Sequence, residues 1–219
     1  MTNSVLRLLR RDVVVDPERL VTFGDAVFAI AITLLALDIS VPDGLADSEV
    51  GSALRDALPA FGAYLLSFAV IGALWLAQHA LFRLIAALDR CLLHLYLALL
   101  AVVAVLPFPT RLISEYGDTA VATSCYAATI AVAGALIAAM SARLRAAPDL
   151  ATPNASAGHL GQSVVRTLLV VAVFATSVPV SLASPTAAKY WWLLAIPVRL
   201  LFRDARAPEG GEPSAARDS

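Results

Sequence analysis

From residue 20 onward the chain alternates long apolar runs with short polar joints. Six runs stand out, at about 20–41, 58–82, 91–110, 119–142, 163–183 and 186–202. Each is close to the roughly 20 apolar residues a helix needs to cross a hydrocarbon layer about 30 Å thick. The last is the shortest, and Tyr190, Trp191 and Trp192 near its start are amphipathic rings of the kind that settle at a membrane–water boundary. The joints carry helix-interrupting residues. Residues 42–56, "PDGLADSEVGSALRD", form a polar, acidic loop with Pro42 and Gly44. "LPFPT" at 106–110 is expected to end the third run, because proline removes a backbone donor and clashes with the preceding turn. A longer polar link fills 143–162, and "SPT" at 184–186 reads as a tight turn. From Asp204 the chain is rich in Pro, Gly and Ser, a composition that cannot bury a core and is expected to be disordered.

Composition agrees with the pattern. The 219 residues are 59% hydrophobic and 15% charged, against about 25% charged in a soluble domain, and mean hydropathy is +0.78. A net charge of −1, with no basic patch, argues against nucleic acid as a partner. Cys91 and Cys125 lie far apart in apolar surroundings, which fits neither a disulfide framework nor a zinc site. His79, His94 and His159 have no metal-ligand spacing, and no GxSxG, HExxH or phosphate loop occurs. No metal, cofactor or enzymatic activity is expected.

The arginines set an orientation. Arg7, Arg10, Arg11 and Arg19 precede the first run, and Arg83 and Arg90 join the second to the third. Arg143, Arg145 and Arg166 flank the joint of the fourth and fifth, and Arg199, Arg203, Arg206 and Arg217 close the chain. Only Arg55, Arg111 and Lys189 stand on the other side. The positive-inside rule places both termini in the cytoplasm, which requires an even number of spans. The expectation is an all-α integral membrane protein with six transmembrane helices. Asp12, Asp16 and Glu18 separate the leading arginines from the first run, which therefore reads as a retained span and not as a leader. The two three-span halves share no motif, so an inverted repeat has no support.

The first run, "RLVTFGDAVFAIAITLLALDI" at 19–39, has one polar side chain, Thr33, between Ala26 and Leu37. Ile30, Thr33, Leu34 and Leu37 stand at i, i+3, i+4 and i+7, on one helical stripe. That stripe has two readings, packing against lipid or core, or lining a path. Gly24, Ala29, Ala31 and Ala36 would let neighbouring helices approach closely. Asp25 lies about 7 Å inside the run if hydrocarbon begins near Leu20. It either faces a partner or water, or sits at a boundary favoured by the helix dipole. "WLAQH" at 75–79 puts Trp75 and His79 on one face, and antiparallel packing would bring His79 level with Asp25. Asp38 and Asp43, followed by Asp47 and Glu49, mark the other end, either as a solvated loop or as acids that concentrate cations.

These residues resemble the transmembrane protein 175 family of potassium channels, found in bacteria and in animal lysosomes. Arg19, Phe23 and Asp25 match its Arg-x-x-x-Phe-Ser-Asp motif and the run after them its Ala-Ile-Ala-Ile-Thr-type continuation. "WLAQH" and "LPFPT" resemble its second and third spans. Gly24 stands where the family usually has serine, so that hydroxyl's bond is expected to be absent or supplied by water. The resemblance implies a homotetramer of six-span subunits in the single-repeat bacterial form. The resemblance further implies that it would sit in the lipid bilayer of a bacterial plasma membrane and pass potassium ions through a central pore lined by the first helix. Ile30, Leu34 and Leu37 would form an apolar constriction with Thr33 on the same face. Arg19, Phe23, Gly24, Asp25, Trp75 and His79 would form a packing network beside it. No "TVGYG" occurs in the chain, so discrimination would rest on the apolar neck and be modest. The implied organisation is a cytoplasmic segment 1–18, a six-span channel domain 19–203 and a cytoplasmic tail 204–219. The rival reading is a proton-coupled transporter using Asp25 and His79.

Overall fold

The computed structural model describes residues 17–37, 39–153, 155 and 157–195, and among these it is built almost wholly of helix. The first helix, α1 (Pro17–Ala36), opens on a proline, whose missing N–H would have had no partner in a first turn. Glu18 lies in that first turn, where a carboxylate suits the helix dipole. Its 20 residues give about 30 Å of length, the thickness of the hydrocarbon layer. The helix stops five residues before the expected Val41. Leu37 N–H donates to Leu34 O and Ile39 N–H to Ala36 O, both at 3.2 Å, so the last turn tightens to i→i+3 bonds and unwinds. The joint that follows is not all loop. It turns at Gly44, whose φ of +75° suits glycine, and contains the seven-residue α2 (Val50–Asp56).

Two long helices come next, α3 (Leu58–Phe82) and α4 (Arg90–Val105). Asp89 caps α4, its carboxylate accepting from Leu92 N–H at 2.8 Å. "LPFPT" does not end the third span as expected. Helix resumes at once as α5 (Pro107–Tyr116), because Pro107 and Pro109 fall in its first turn, where their lost donors have no intrahelical acceptor. Arg90–Tyr116 thus forms one long apolar stretch with a proline joint. α6 (Ala120–Ala146) is capped by Thr119, and α7 (Ala157–Ala183) begins six residues before the expected 163. α8 (Pro185–Trp191) passes into a 3-10 turn at 192–194. The remainder of the expected sixth run, 196–202, lies outside the described residues, as do segments 1–16 and 204–219.

Five helical stretches among the described residues are long and apolar enough to cross a membrane: Pro17–Ala36, Leu58–Phe82, Arg90–Tyr116, Ala120–Ala146 and Leu160–Ala183. This is a membrane protein in which α6 is the central helix. It packs most extensively on α7 and also meets α4, α5 and α3. Its alanines and Gly134 make that possible, since small residues let backbones approach. A Cβ at Gly134 would lie 2.6 Å from a Val171 methyl. The core centres on Tyr96, Leu99, Val103, Tyr126, Ile137 and Met140, all fully buried. Several polar groups buried there are paired: Ser67 Oγ lies 2.8 Å from Thr110 Oγ1 and 3.1 Å from the Tyr126 hydroxyl, and Trp192 Nε1 donates to Ser177 Oγ at 2.9 Å.

At one end the α3–α4 and α6–α7 connections are clasped together. Ala86 and Ala87 N–H donate to Leu150 O, Thr152 N–H donates to Leu84 O, and Ile85 pairs with Ala151 in an isolated antiparallel bridge. Beside the clasp, Arg143 Nε and Nη2 both donate to Asp89 Oδ2, at 2.9 and 2.7 Å. Partial burial pushes the Asp89 carboxyl up, but the Leu92 N–H and the Arg143 guanidinium outweigh it and hold the group below the usual aspartate range.

Candidate pore-lining site

α1 has two unlike faces. Leu20, Gly24, Phe28, Ala31 and Leu35 are buried, at the spacing of one helical stripe, against α3 and α4. Opposite them Ile30 is 58% exposed, Leu34 43% and Leu37 75%. Thr33 is exposed between them, its hydroxyl turned back to donate to Ile30 O at 2.9 Å. Phe23 continues the open stripe. The fold of the chain therefore leaves open the face on which the four expected lining residues lie. Leu37 belongs to that face although it sits one residue past the helix end.

The polar cluster lies where α1 begins. Trp75 Nε1 donates to Asp25 Oδ1 at 2.7 Å, and the His79 ring stacks on Trp75 with centroids 5.3 Å apart. The partner of Asp25 is thus the indole, and His79 stands behind it. His79 Nδ1 is buried and has no hydrogen-bond partner among the described residues. Arg19 and Phe23, expected in the same network, lie exposed at the start of α1. Asp43 is exposed in the joint after α1, and Asp38 lies outside the described residues.

Gly24 has a physical explanation. The Tyr96 hydroxyl occupies the space of its missing side chain, so a Cβ there would overlap the hydroxyl oxygen and lie 2.9 Å from Cζ. That hydroxyl donates to Leu20 O at 3.1 Å and accepts from Gln78 Nε2 at 3.2 Å. Leu20 O is the i−4 carbonyl that a serine at position 24 would reach within the helix. The expected loss of a hydroxyl is therefore corrected: a tyrosine from α4 supplies the bond. Sequence reasoning missed Gln78 and Tyr96. The available signal was two hydrogen-bonding side chains inside otherwise apolar runs, since such groups need partners when buried.

Residues 19–107 match the family described as the endosomal/lysosomal potassium channel TMEM175. Over that stretch the chain is similar to the TMEM175 family. It is similar to a potassium channel of Streptomyces collinus, 46% identical over 98 residues, which are 45% of this chain and 48% of that one. A potassium channel of Chamaesiphon minutus is 42% identical over 114 residues, 50% of this chain and 56% of the relative. The chicken endosomal/lysosomal proton channel TMEM175 is 38% identical over 112 residues, 46% of this chain and 22% of its own length. The chain spans about half the length of the bacterial relatives it matches. In fold, it is similar to the crystal structure of a lysosomal potassium-selective TMEM175 homologue from Chamaesiphon minutus. That match has a TM-score of 0.71 at 28% identity and covers 85% of this chain and 98% of that one. The TMEM175 match takes in α1, α3 and α4, the three helices that hold the cluster, and it is to ion channels, not enzymes.

Proposed function

We propose that this chain is one subunit of a tetrameric potassium channel in a bacterial plasma membrane, with four α1 helices around a central pore. The observation that carries the reading is the open stripe of α1. Apolar side chains at Ile30, Leu34 and Leu37 are left without intrasubunit partners on a helix whose other face is fully packed. Relatives named as potassium channels support the choice of ion. Ile30, Leu34 and Leu37 form the narrow neck and Thr33 its polar step. A ring of alkyl groups offers no oxygens to replace hydration, so the ion that holds its water less tightly, potassium, passes at lower cost. The same ring closes by dewetting when slightly narrower.

The channel domain extends over 19–203 with six spans, the sixth completed beyond Ala195, between a cytoplasmic segment 1–18 and a cytoplasmic tail 204–219. Both termini are cytoplasmic, because Arg83, Arg90, Arg143 and Arg145 lie around the clasped end of the bundle. Asp38 and Asp43 then stand at the outer mouth, where acids attract cations. Arg19, Phe23, Gly24, Asp25, Trp75 and His79 keep α1 in register beside the pore. The rival reading, a proton-coupled transporter, draws on the Asp25–Trp75–His79 contact, which lies near one membrane edge on unbroken helices and not at a mid-membrane break. Reversal potential across a planar bilayer holding the purified protein, with potassium on one side and sodium on the other, separates them. Reversal toward the potassium equilibrium potential is expected. No current, together with saturable uptake driven by a proton gradient, would overturn the channel reading.

A further inference from the structure

Between α3 and α7, away from the α1 stripe, a groove of about 590 Å³ is floored by α6. Its size lies within the roughly 300–1,000 Å³ of small-molecule pockets. Small side chains on α3 hollow it out, among them Gly62, Ala69 and Ala73. Its lining runs from Pro59 to Ala77 on α3, about 27 Å at 1.5 Å per residue, most of the depth of a hydrocarbon layer. The groove is therefore long, narrow and apolar, the shape of a hydrocarbon chain and not of a polar solute.

Its two ends carry cations of different standing. Lys189, at one end, has its Nζ 3.4 Å from Asp118 Oδ1 and is already met by a carboxylate. Arg166, at the other, lies six residues into the apolar stretch that begins at Leu160, or about 9 Å along the helix. Among the described residues no carboxylate forms an ion pair with it. A guanidinium at that depth needs an anion or a route to the interface. Thr167 beside it adds a hydroxyl to the same end of the groove. Arg166 also lies toward the clasped, arginine-rich end of the bundle, and basic pockets between helices at such an end suit lipid phosphates. We propose that this groove holds an acyl chain of an anionic phospholipid, with the lipid phosphate bound by the Arg166 guanidinium.

The test is lipid retention by the purified full-length protein, measured by native mass spectrometry after titration with dioleoylphosphatidylglycerol or dioleoylphosphatidylcholine. Phosphatidylglycerol is expected to bind the tighter of the two. Arg166→Gln should weaken it about fivefold, the loss of one cation near the membrane surface, and reduce its preference over phosphatidylcholine. Ala73→Phe fills the groove from α3 without touching charge and should lower retention of both lipids. Equal binding of the two lipids by the unaltered protein would overturn the proposal, as would retention unchanged in both variants. If Arg166→Gln does not fold, Ala73→Phe and the lipid comparison decide alone. A further arm asks what else covers the groove. On a background lacking Cys91 and Cys125, cysteines at Ala73 and Leu200 should stay reduced. A disulfide between them would assign the groove to the chain beyond Ala195, and one between Ala73→Cys copies would assign it to a second subunit. Either result overturns the lipid.

Discussion

Gly24→Ala would add one methyl group to α1, and by helix propensity alone it would stabilise that helix by about 0.8–1.0 kcal/mol. The structure predicts the opposite sign. The new Cβ would overlap the Tyr96 hydroxyl and press on Cζ at 2.9 Å, so the ring must swing away and its bond to Leu20 O and its contact with Gln78 must lengthen. Overpacking of this kind costs about 1–3 kcal/mol, and each lost hydrogen bond about 0.5–1.5 kcal/mol. Setting these against the propensity gain leaves a net destabilisation of about 1–5 kcal/mol if both bonds are lost. For a chain of this length that corresponds to a fall in Tm of about 2–20 °C. The assay is thermal unfolding in detergent followed by tryptophan fluorescence, on the four proteins of a cycle with Tyr96→Phe. Tyr96→Phe alone should cost about 1–2 kcal/mol, yet the double variant should be less impaired than the sum, because the colliding oxygen has gone. Gly24→Ser with Tyr96→Phe should recover more than Gly24→Ala with Tyr96→Phe, since the serine hydroxyl can reach Leu20 O. A Gly24→Ala protein as stable as the original, or effects that simply add, would refute the reasoning.

Leu34→Ala should widen the neck and weaken discrimination between potassium and sodium, read as a reversal potential shifted toward zero in mixed-ion bilayers; unchanged ion ratios would remove Leu34 from the constriction. Ile30→Ser should raise current at fixed voltage by easing dewetting, whereas a purely structural stripe would show no change. The Asp89 carboxyl is held below its ordinary range, so its contribution to stability is complete above an unfolded value of about 3.9 and is lost as pH falls through the lower folded value. Unfolding of Asp89→Asn across that window should therefore show a flatter acid limb, with the original protein losing more stability between about pH 5 and 2. Ser67→Ala strips one shared partner from Thr110 and Tyr126 and should lower stability by about 0.5–2 kcal/mol in thermal unfolding.

Much of this architecture was legible because hydrophobic length is a strong signal: α3 was placed at both ends, and Ile30, Thr33, Leu34 and Leu37 do share one open face. What failed failed locally. Pro107 and Pro109 look like a stop in sequence, but a helix can restart on prolines at its first turn, and only the backbone path shows that it does. The end of α1 at Ala36 was hidden because Leu37, Ile39 and Val41 are as apolar as the residues before them. Within the cluster, spacing put Asp25 and His79 at one depth but could not show that the Trp75 indole stands between them. Tyr96 was invisible for a different reason: 76 residues separate it from the Leu20 carbonyl it serves, and nothing in either segment marks such a pairing.

The clasp between the two loops also bears on how the protein is made. Asp89 leaves the ribosome 54 residues before Arg143, an interval of about 3–11 s at 5–20 residues per second. During that time the α3–α4 hairpin has no latch: the Leu84 carbonyl has no Thr152 donor, and the Ala86 and Ala87 N–H groups have no Leu150 acceptor. The first half therefore enters the membrane before its latch exists, held by the contacts among α1, α3, α4 and α5. Synthesis of the second half then works as a delayed fastener, so that a nascent chain halted before Arg143 carries every residue of the α1 stripe and still lacks the bolt that closes the bundle.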